Sequence, residues 1–177
     1  MHSTKKNILI TGLPGIGKTT LIKKISRELK DLYPVGFYTE EIREQGVRKG
    51  FGLISLDGRK GVLSHVAIKS PYQVGKYKVD IKGFENFLDG LQFFDLWTGL
   101  IIIDEIGKME CLSGKFRKLV EELLDSQKSV IATIALKGGG VIEKIKKRSD
   151  VKLFDITLSN RDSLLDEILK EVKPVSR

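Results

Sequence analysis

Residues 12–19 read Gly-Leu-Pro-Gly-Ile-Gly-Lys-Thr, which fits G-x-x-x-x-G-K-[ST], the spacing of a loop that cradles phosphate. No other stretch constrains the fold as strongly, because such a loop works only between the end of a strand and the start of a helix. Both flanks fit that requirement. Asn7-Ile8-Leu9-Ile10-Thr11 reads as a short buried strand, and Lys18 to Leu32 reads as a helix with Leu21, Ile22, Ile25, Leu29 and Leu32 on one face. A helix N-terminus offers unpaired N–H groups and the positive end of the helix dipole to an anion. Lys18 would bridge the β- and γ-phosphates of a nucleoside triphosphate, and the Thr19 hydroxyl would ligate Mg²⁺, which prefers oxygen. Gly12, Leu13, Pro14, Gly15, Ile16, Gly17, Lys18, Thr19 and Thr20 form the first set of candidate nucleotide-binding residues.

The second set lies far along the chain. Leu100-Ile101-Ile102-Ile103 is a continuous apolar run, as expected of a central strand covered on both faces, and Asp104 and Glu105 follow it directly. A buried strand ending in Asp is the Walker B pattern. Asp104 would emerge at the carboxyl end of its strand, where open α/β sheets bind ligands, and would hold Mg²⁺ opposite Thr19. Glu105 is placed to orient or deprotonate water facing the γ-phosphate. Leu100, Ile101, Ile102, Ile103, Asp104, Glu105, Ile106 and Gly107 therefore join the nucleotide-binding candidates, with Thr19 and Asp104 as metal ligands. Thr133 ends another apolar strand, where its hydroxyl either senses the γ-phosphate or attacking water or fills a β position by propensity alone. Lys108, Arg43, Arg48 and Arg161 are candidates for an extra cation that stabilises the transferring phosphoryl group. Lys108 carries most weight among them, because it sits just past the carboxylates. Lys18, Glu105 and Lys108 are the catalytic candidates.

Between the two sets the pattern changes. Val35 to Arg43 is rich in strand formers, Gln45-Gly46 marks a turn, Gly50 to Leu56 reads as a second strand, and Asp57-Gly58 signals a hairpin into a third strand over 61–68. Residues 71–80 read as loop with a short extended piece, and Phe84, Phe87, Leu88 and Leu91 suggest a helix. After residue 100, strands and helices alternate. Phe116, Leu119, Val120, Leu123 and Leu124 mark a core-facing helix, Ser129 to Ile134 a strand, Val141 to Arg148 a short basic helix, and Val151 to Thr157 the last strand. A terminal helix carries Leu164, Leu165, Ile168, Leu169 and Val172, with Ser159 and Asp162 at capping-box spacing before it. The expected architecture is α/β, a mostly parallel sheet with helices on both faces and an inserted antiparallel β-meander, built as one domain over residues 1–177.

Composition narrows the class. An apolar fraction of 41% with 31% charged residues suits a soluble globular chain, and no stretch is long and apolar enough to cross a bilayer. The lone Cys111 rules out an internal disulfide, and the start of the chain has no signal-peptide pattern, which together suggest a cytoplasmic setting. Cys111 reads as a packing residue, and neither His2 nor His65 has a metal-ligand partner at useful spacing. The net charge of +8 permits an anionic partner, but no basic motif interleaved with aromatics points to nucleic acid. No membrane partner and no particular oligomeric state are implied.

With both halves of the site read, the chain resembles the P-loop nucleoside-triphosphatases of thermophilic bacteria and archaea and their human cancer-related relative. The resemblance rests on residues 10–21, on Gly36-Phe37-Tyr38-Thr39-Glu40-Glu41-Ile42-Arg43, on residues 74–80, on Ile103-Asp104-Glu105-Ile106-Gly107-Lys108-Met109-Glu110 and on Asn160-Arg161-Asp162. It implies a RecA-like P-loop fold and hydrolysis of ATP, GTP, CTP and UTP with little base selectivity, with slower diphosphate hydrolysis beside it. Cys111 stands where the family pattern has Leu or a similar residue, a departure that touches packing. A nucleotide or small-molecule kinase is the alternative on the same cradle; the chain has no Arg-rich lid segment, and Glu105 suits water better than a bulkier acceptor.

Overall fold

The computed structural model describes residues 7–172. Nine strands form one sheet in the order β5-β6-β4-β3-β2-β7-β8-β1-β9. The parallel part consists of β2 (Pro34–Glu44), β7 (Leu100–Ile106), β8 (Ser129–Ile134), β1 (Asn7–Thr11) and β9 (Val151–Asp155). The antiparallel meander consists of β3 (Val47–Ser55), β4 (Lys60–His65), β5 (Gln73–Val74) and β6 (Tyr77–Val79). The helices are α1 (Lys18–Glu28), α2 (Ile81–Asp89), α3 (Gly114–Asp125), α4 (Val141–Lys146) and α5 (Leu164–Glu171). The expected mostly parallel sheet with an inserted meander is therefore present.

The apolar strands still sort their side chains with a period of two. Ile8 and Ile10 of β1, Leu100 and Ile102 of β7 and Ile131 of β8 join Leu21, Ile22 and Ile25 of α1 and Ile168 of α5 on one face. Leu9, Ile101, Ile103, Val130 and Ala132 meet Phe84 of α2, Phe116 and Leu123 of α3 and Ile142 of α4 on the other. A run such as Leu100–Ile103 is thus apolar throughout because both of its faces are covered.

Several element ends move by two or three residues: β3 starts at Val47, α4 ends at Lys146 and β9 ends at Asp155. Three further expectations change. The first helix ends at Glu28, and Lys30–Leu32 forms a separate tight turn of 3₁₀ helix. The third strand of the meander stops at His65 instead of running to residue 68. The cap expected from Ser159 and Asp162 does not form. The last helix starts at Leu164, Ser159 Oγ pairs with Thr157 Oγ1 at 2.9 Å, and the Thr157 N–H donates to Asn160 Oδ1 at 2.8 Å. The Asn160 side chain closes that turn, so Ser159 sits inside a loop rather than at a helix end.

Candidate active site

All five parallel strands present their carboxyl ends on one edge of the sheet, the edge where such sheets place ligands. There β1 gives way to the glycine-rich loop, and the loop to α1. Gly17 stands at the helix N-cap with φ 116°, a left-handed conformation that favours glycine, and no side chain caps the helix. The first turn also lacks acidic residues, so the free N–H groups keep their attraction for an anion. The Lys18 ammonium donates to the Gly12 and Leu13 carbonyls at 3.0 and 3.2 Å, which holds it over the loop.

Strand β8 lies between β1 and β7. Ile103 pairs with Ala132, but the next pairing is Ile106 with Ile134. Asp104 and Glu105 together therefore oppose Thr133. This is a β-bulge, a device that re-aims side chains next to active sites, and the Asp104–Glu105 peptide within it is cis. Asp104 is buried, and each of its carboxylate oxygens accepts from a hydroxyl. Thr19 Oγ1 donates to Oδ2 at 2.7 Å and Thr133 Oγ1 to Oδ1 at 2.5 Å. The Thr39 N–H also approaches Oδ2, at 3.5 Å. Thr133, read two ways from the sequence, thus fixes the orientation of Asp104. One hydroxyl and one carboxylate make a hard oxygen set too small to enclose a cation. It suits a divalent cation that keeps waters and takes phosphate oxygens as further ligands.

Glu105 is half-buried, and burial raises its pKa, with Asp104 adding to the rise and Lys18 opposing it. A carboxylate moved up in this way is a better proton acceptor near neutral pH. Glu110 lies close by. A Cβ on Gly107 would sit 2.7 Å from Glu105 Oε1 and 2.8 Å from Glu110 Oε2, so only glycine leaves room for both carboxyl groups. Burial, with Glu105 and Asp104 adding to it, pushes Glu110 up to about 8. Burial also pushes the Cys111 thiol up to about 12, and the residue packs against the core, as expected of a structural cysteine.

A cleft of about 820 Å³ runs from the glycine loop to the meander. Its walls bring together Gly12, Leu13, Pro14, Gly15, Gly17, Lys18, Thr19, Thr20, Asp104, Glu105 and Lys108. The other nucleotide-binding candidates do not line it. Leu100, Ile101, Ile102, Ile103 and Ile106 are buried in the sheet and carry the carboxylates to the cleft, Gly107 provides the space just described, and Ile16 packs on the core. Among the candidate cations, Lys108 and Arg48 line the cleft. Arg43 is exposed, held by Glu41 at 2.6 Å and by the Gly46 carbonyl at 2.8 Å. Arg161, also exposed, follows β9 and stands 3.9 Å from Asp162. His65 accepts from the Ala67 N–H at 3.1 Å, and His2 lies outside the described residues. Sequence reasoning missed Lys137, an exposed cation of the cleft wall just beyond β8; its place before Gly138-Gly139-Gly140 is the signal that could have marked it.

Comparison with known proteins agrees with this arrangement. The pattern of the family described as NTPase matches residues 7–169. A nucleoside-triphosphatase THEP1 of Thermotoga sp. (strain RQ2) is 53% identical over 167 residues, covering 94% of this chain and 95% of its own length. The human cancer-related nucleoside-triphosphatase is 41% identical, with 93% and 95% covered. The crystal structure of THEP1 from the hyperthermophile Aquifex aeolicus superposes with a TM-score of 0.86 at 37% identity, covering 95% of this chain and 99% of that one. By the extent of these matches, the chain belongs to the NTPase family.

Proposed function

We propose that the chain hydrolyses nucleoside triphosphates to diphosphate and inorganic phosphate with Mg²⁺ as cofactor, working as one P-loop domain over residues 1–177 in the cytoplasm. The observation that carries this reading is the bulge at Asp104–Glu105. It puts two carboxylates, Asp104 and Glu105, side by side on the cleft that the glycine loop lines, which supports the first as metal holder and the second as proton acceptor. The names of the relatives, nucleoside-triphosphatases, agree with it.

The Lys18 ammonium and the N–H groups at the start of α1 bind the β- and γ-phosphates. Thr19 and Asp104 hold Mg²⁺, which when bound neutralises charge on the phosphate oxygens. Thr133 keeps Asp104 in place. Glu105 accepts a proton from water as the water oxygen bonds to the γ-phosphorus. The bond from that phosphorus to the β–γ bridging oxygen breaks, and the diphosphate leaves. Lys108 is the candidate for stabilising charge on the γ-oxygens. These contacts engage phosphate and metal, which every nucleoside triphosphate shares, and so they support use of ATP, GTP, CTP and UTP alike. A diphosphate places less charge on the loop and would react more slowly.

The test is phosphate release from the purified chain with each of the four triphosphates, with Mg²⁺ and with excess chelator. Release with all four nucleotides, abolished by the chelator, is expected. A phosphorylated small molecule in place of free phosphate would instead support the kinase reading, and activity with chelator present would remove the metal from the mechanism.

A further inference from the structure

The proposed hydrolysis accounts for the loop side of the cleft and leaves the meander side without a role. Because β2 continues past its pairing with β7, its second half and β3 form an arm that flanks Asp104. Glu41, Arg48, Phe51, Leu63, Met109 and Glu110 line the cleft on this side. They are of a different chemical kind from the loop side. Phe51, Leu63 and Met109 supply apolar contact. Arg48 is already engaged: it donates to Glu41 and to the Tyr77 hydroxyl at 2.8 Å each and lies over the Phe51 ring at 5.2 Å. The other polar groups among these six are the carboxyls of Glu110 and of Glu41, whose oxygens also accept from Arg43 and Arg48, so an anion gains little from them. Glu110 is 5% exposed, and burial favours its neutral acid form, which both donates and accepts a hydrogen bond. A few polar groups converging on apolar walls are the usual make-up of a small-molecule site.

We propose that the meander side of the cleft is a second-ligand subsite for an uncharged, nucleoside-like molecule, a heteroaromatic ring bearing N–H and O–H donors, seated against Phe51, Leu63 and Met109 with its donors on Glu41 and Glu110. The subsite adjoins Glu105, so its occupant displaces the water that Glu105 would activate and slows hydrolysis. The inference rests on the hydrolase reading only in placing the triphosphate on the loop wall.

The probes are adenosine, guanosine, cytidine and uridine, with their 5′-monophosphates as charged controls. Saturation-transfer NMR on the full chain, with Mg²⁺ and a non-hydrolysable ATP analogue filling the loop wall, reads binding without turnover. At least one nucleoside should bind with the analogue present, and its monophosphate should bind at least tenfold more weakly. The same nucleoside should lower phosphate release from ATP at least threefold at saturation, with the KM for ATP changed less than twofold. Val74 also lines this side and is half-buried. Val74→Trp should abolish nucleoside binding by filling the space, and Val74→Ala should keep it, with thermal melts confirming that both variants fold. Four results would overturn the proposal: no nucleoside bound beside the analogue, equal binding of the monophosphate, unchanged binding by Val74→Trp, or a hydrolysis rate that does not fall. A chain that binds nucleoside but releases no phosphate would remove the hydrolase reading and leave the subsite standing.

Discussion

The parallel and antiparallel parts of the sheet solve different problems. In the parallel part the central strands β7, β8 and β1 are buried on both faces, and the ends of β7 and β8 are tied to the start of α1 by a hydroxyl–carboxylate–hydroxyl chain, Thr19 to Asp104 to Thr133. In the meander the strands alternate in burial, and the polar groups at the far end of β2 and β3 are held by exposed ion pairs such as Glu41 with Arg43 and Arg48. Reaction geometry that must hold to a fraction of an ångström sits on the part that cannot move without disturbing the core. The meander, with fewer buried groups at its tip, is suited to shaping what lies next to the phosphate. The comparison implies that substitutions in the parallel part change chemistry or stability strongly, and substitutions at the tip of the meander change little.

The largest effect expected is at Glu105. Glu105→Gln keeps the shape and removes the proposed proton acceptor, so kcat should fall by about 10²–10⁴-fold, with ATP still bound as measured by calorimetry. Hydrolysis at the wild-type rate would move the proton acceptor elsewhere and undo the contrast between the two parts.

Phe37 tests whether the two parts melt together. It lies on β2, where they join, and its ring packs edge-on against Phe84 and Phe87 of α2 and Phe116 of α3, at 5.9–6.5 Å between centroids. Phe37→Ala should cost about 3–5 kcal/mol, in a single transition seen alike by circular dichroism and tryptophan fluorescence. Two separated transitions would show that the meander unfolds on its own.

Glu110 gives a pH dependence. Its folded pKa of about 8 lies above the ordinary value of 4.5. Between those values the folded chain holds a proton that the unfolded chain has released. Stability from this group is therefore complete below about pH 4.5 and declines as pH rises to about 8, by about 1.4 kcal/mol per pH unit for one proton. Glu110→Gln should flatten that part of the curve in urea melts between pH 5 and 8. An unchanged slope would mean that Glu110 is ionised in the folded chain.

The sequence made the site legible where its parts are local. The glycine loop and the Asp104-Glu105 pair each lie within a few residues, and each carries its own strand as context. The pieces it left hidden depend on tertiary closure. That β8 stands between β1 and β7, so that Thr133 reaches Asp104, follows from strand order, which no periodicity records. The bulge adds one residue to a ladder and looks the same in sequence as an unbroken strand. Glu110 reads as one more charged residue in an acidic segment, and its burial follows from the space left at Gly107. In the fold, β5 and β6 have two and three residues, too few to show alternation, and the last helix starts at Leu164 because the Asn160 side chain closes a turn that keeps Ser159 outside it.

The smallest effect is expected at Arg43, and it tests the comparison most directly. Arg43 ends the arm of the meander as a candidate cation for the reaction, yet its guanidinium is about half exposed and already paired with Glu41. An exposed pair of this kind contributes about 0–1 kcal/mol, so Arg43→Ala should leave the urea midpoint nearly unchanged. Arg48 remains on Glu41 at 2.8 Å and keeps that carboxylate partnered. If the arm only borders the cleft, kcat for ATP should also stay within about twofold of wild type. A tenfold or larger fall in kcat with unchanged stability would mean that the arm swings its cation onto the γ-phosphate during turnover. The meander would then supply chemistry as well as shape.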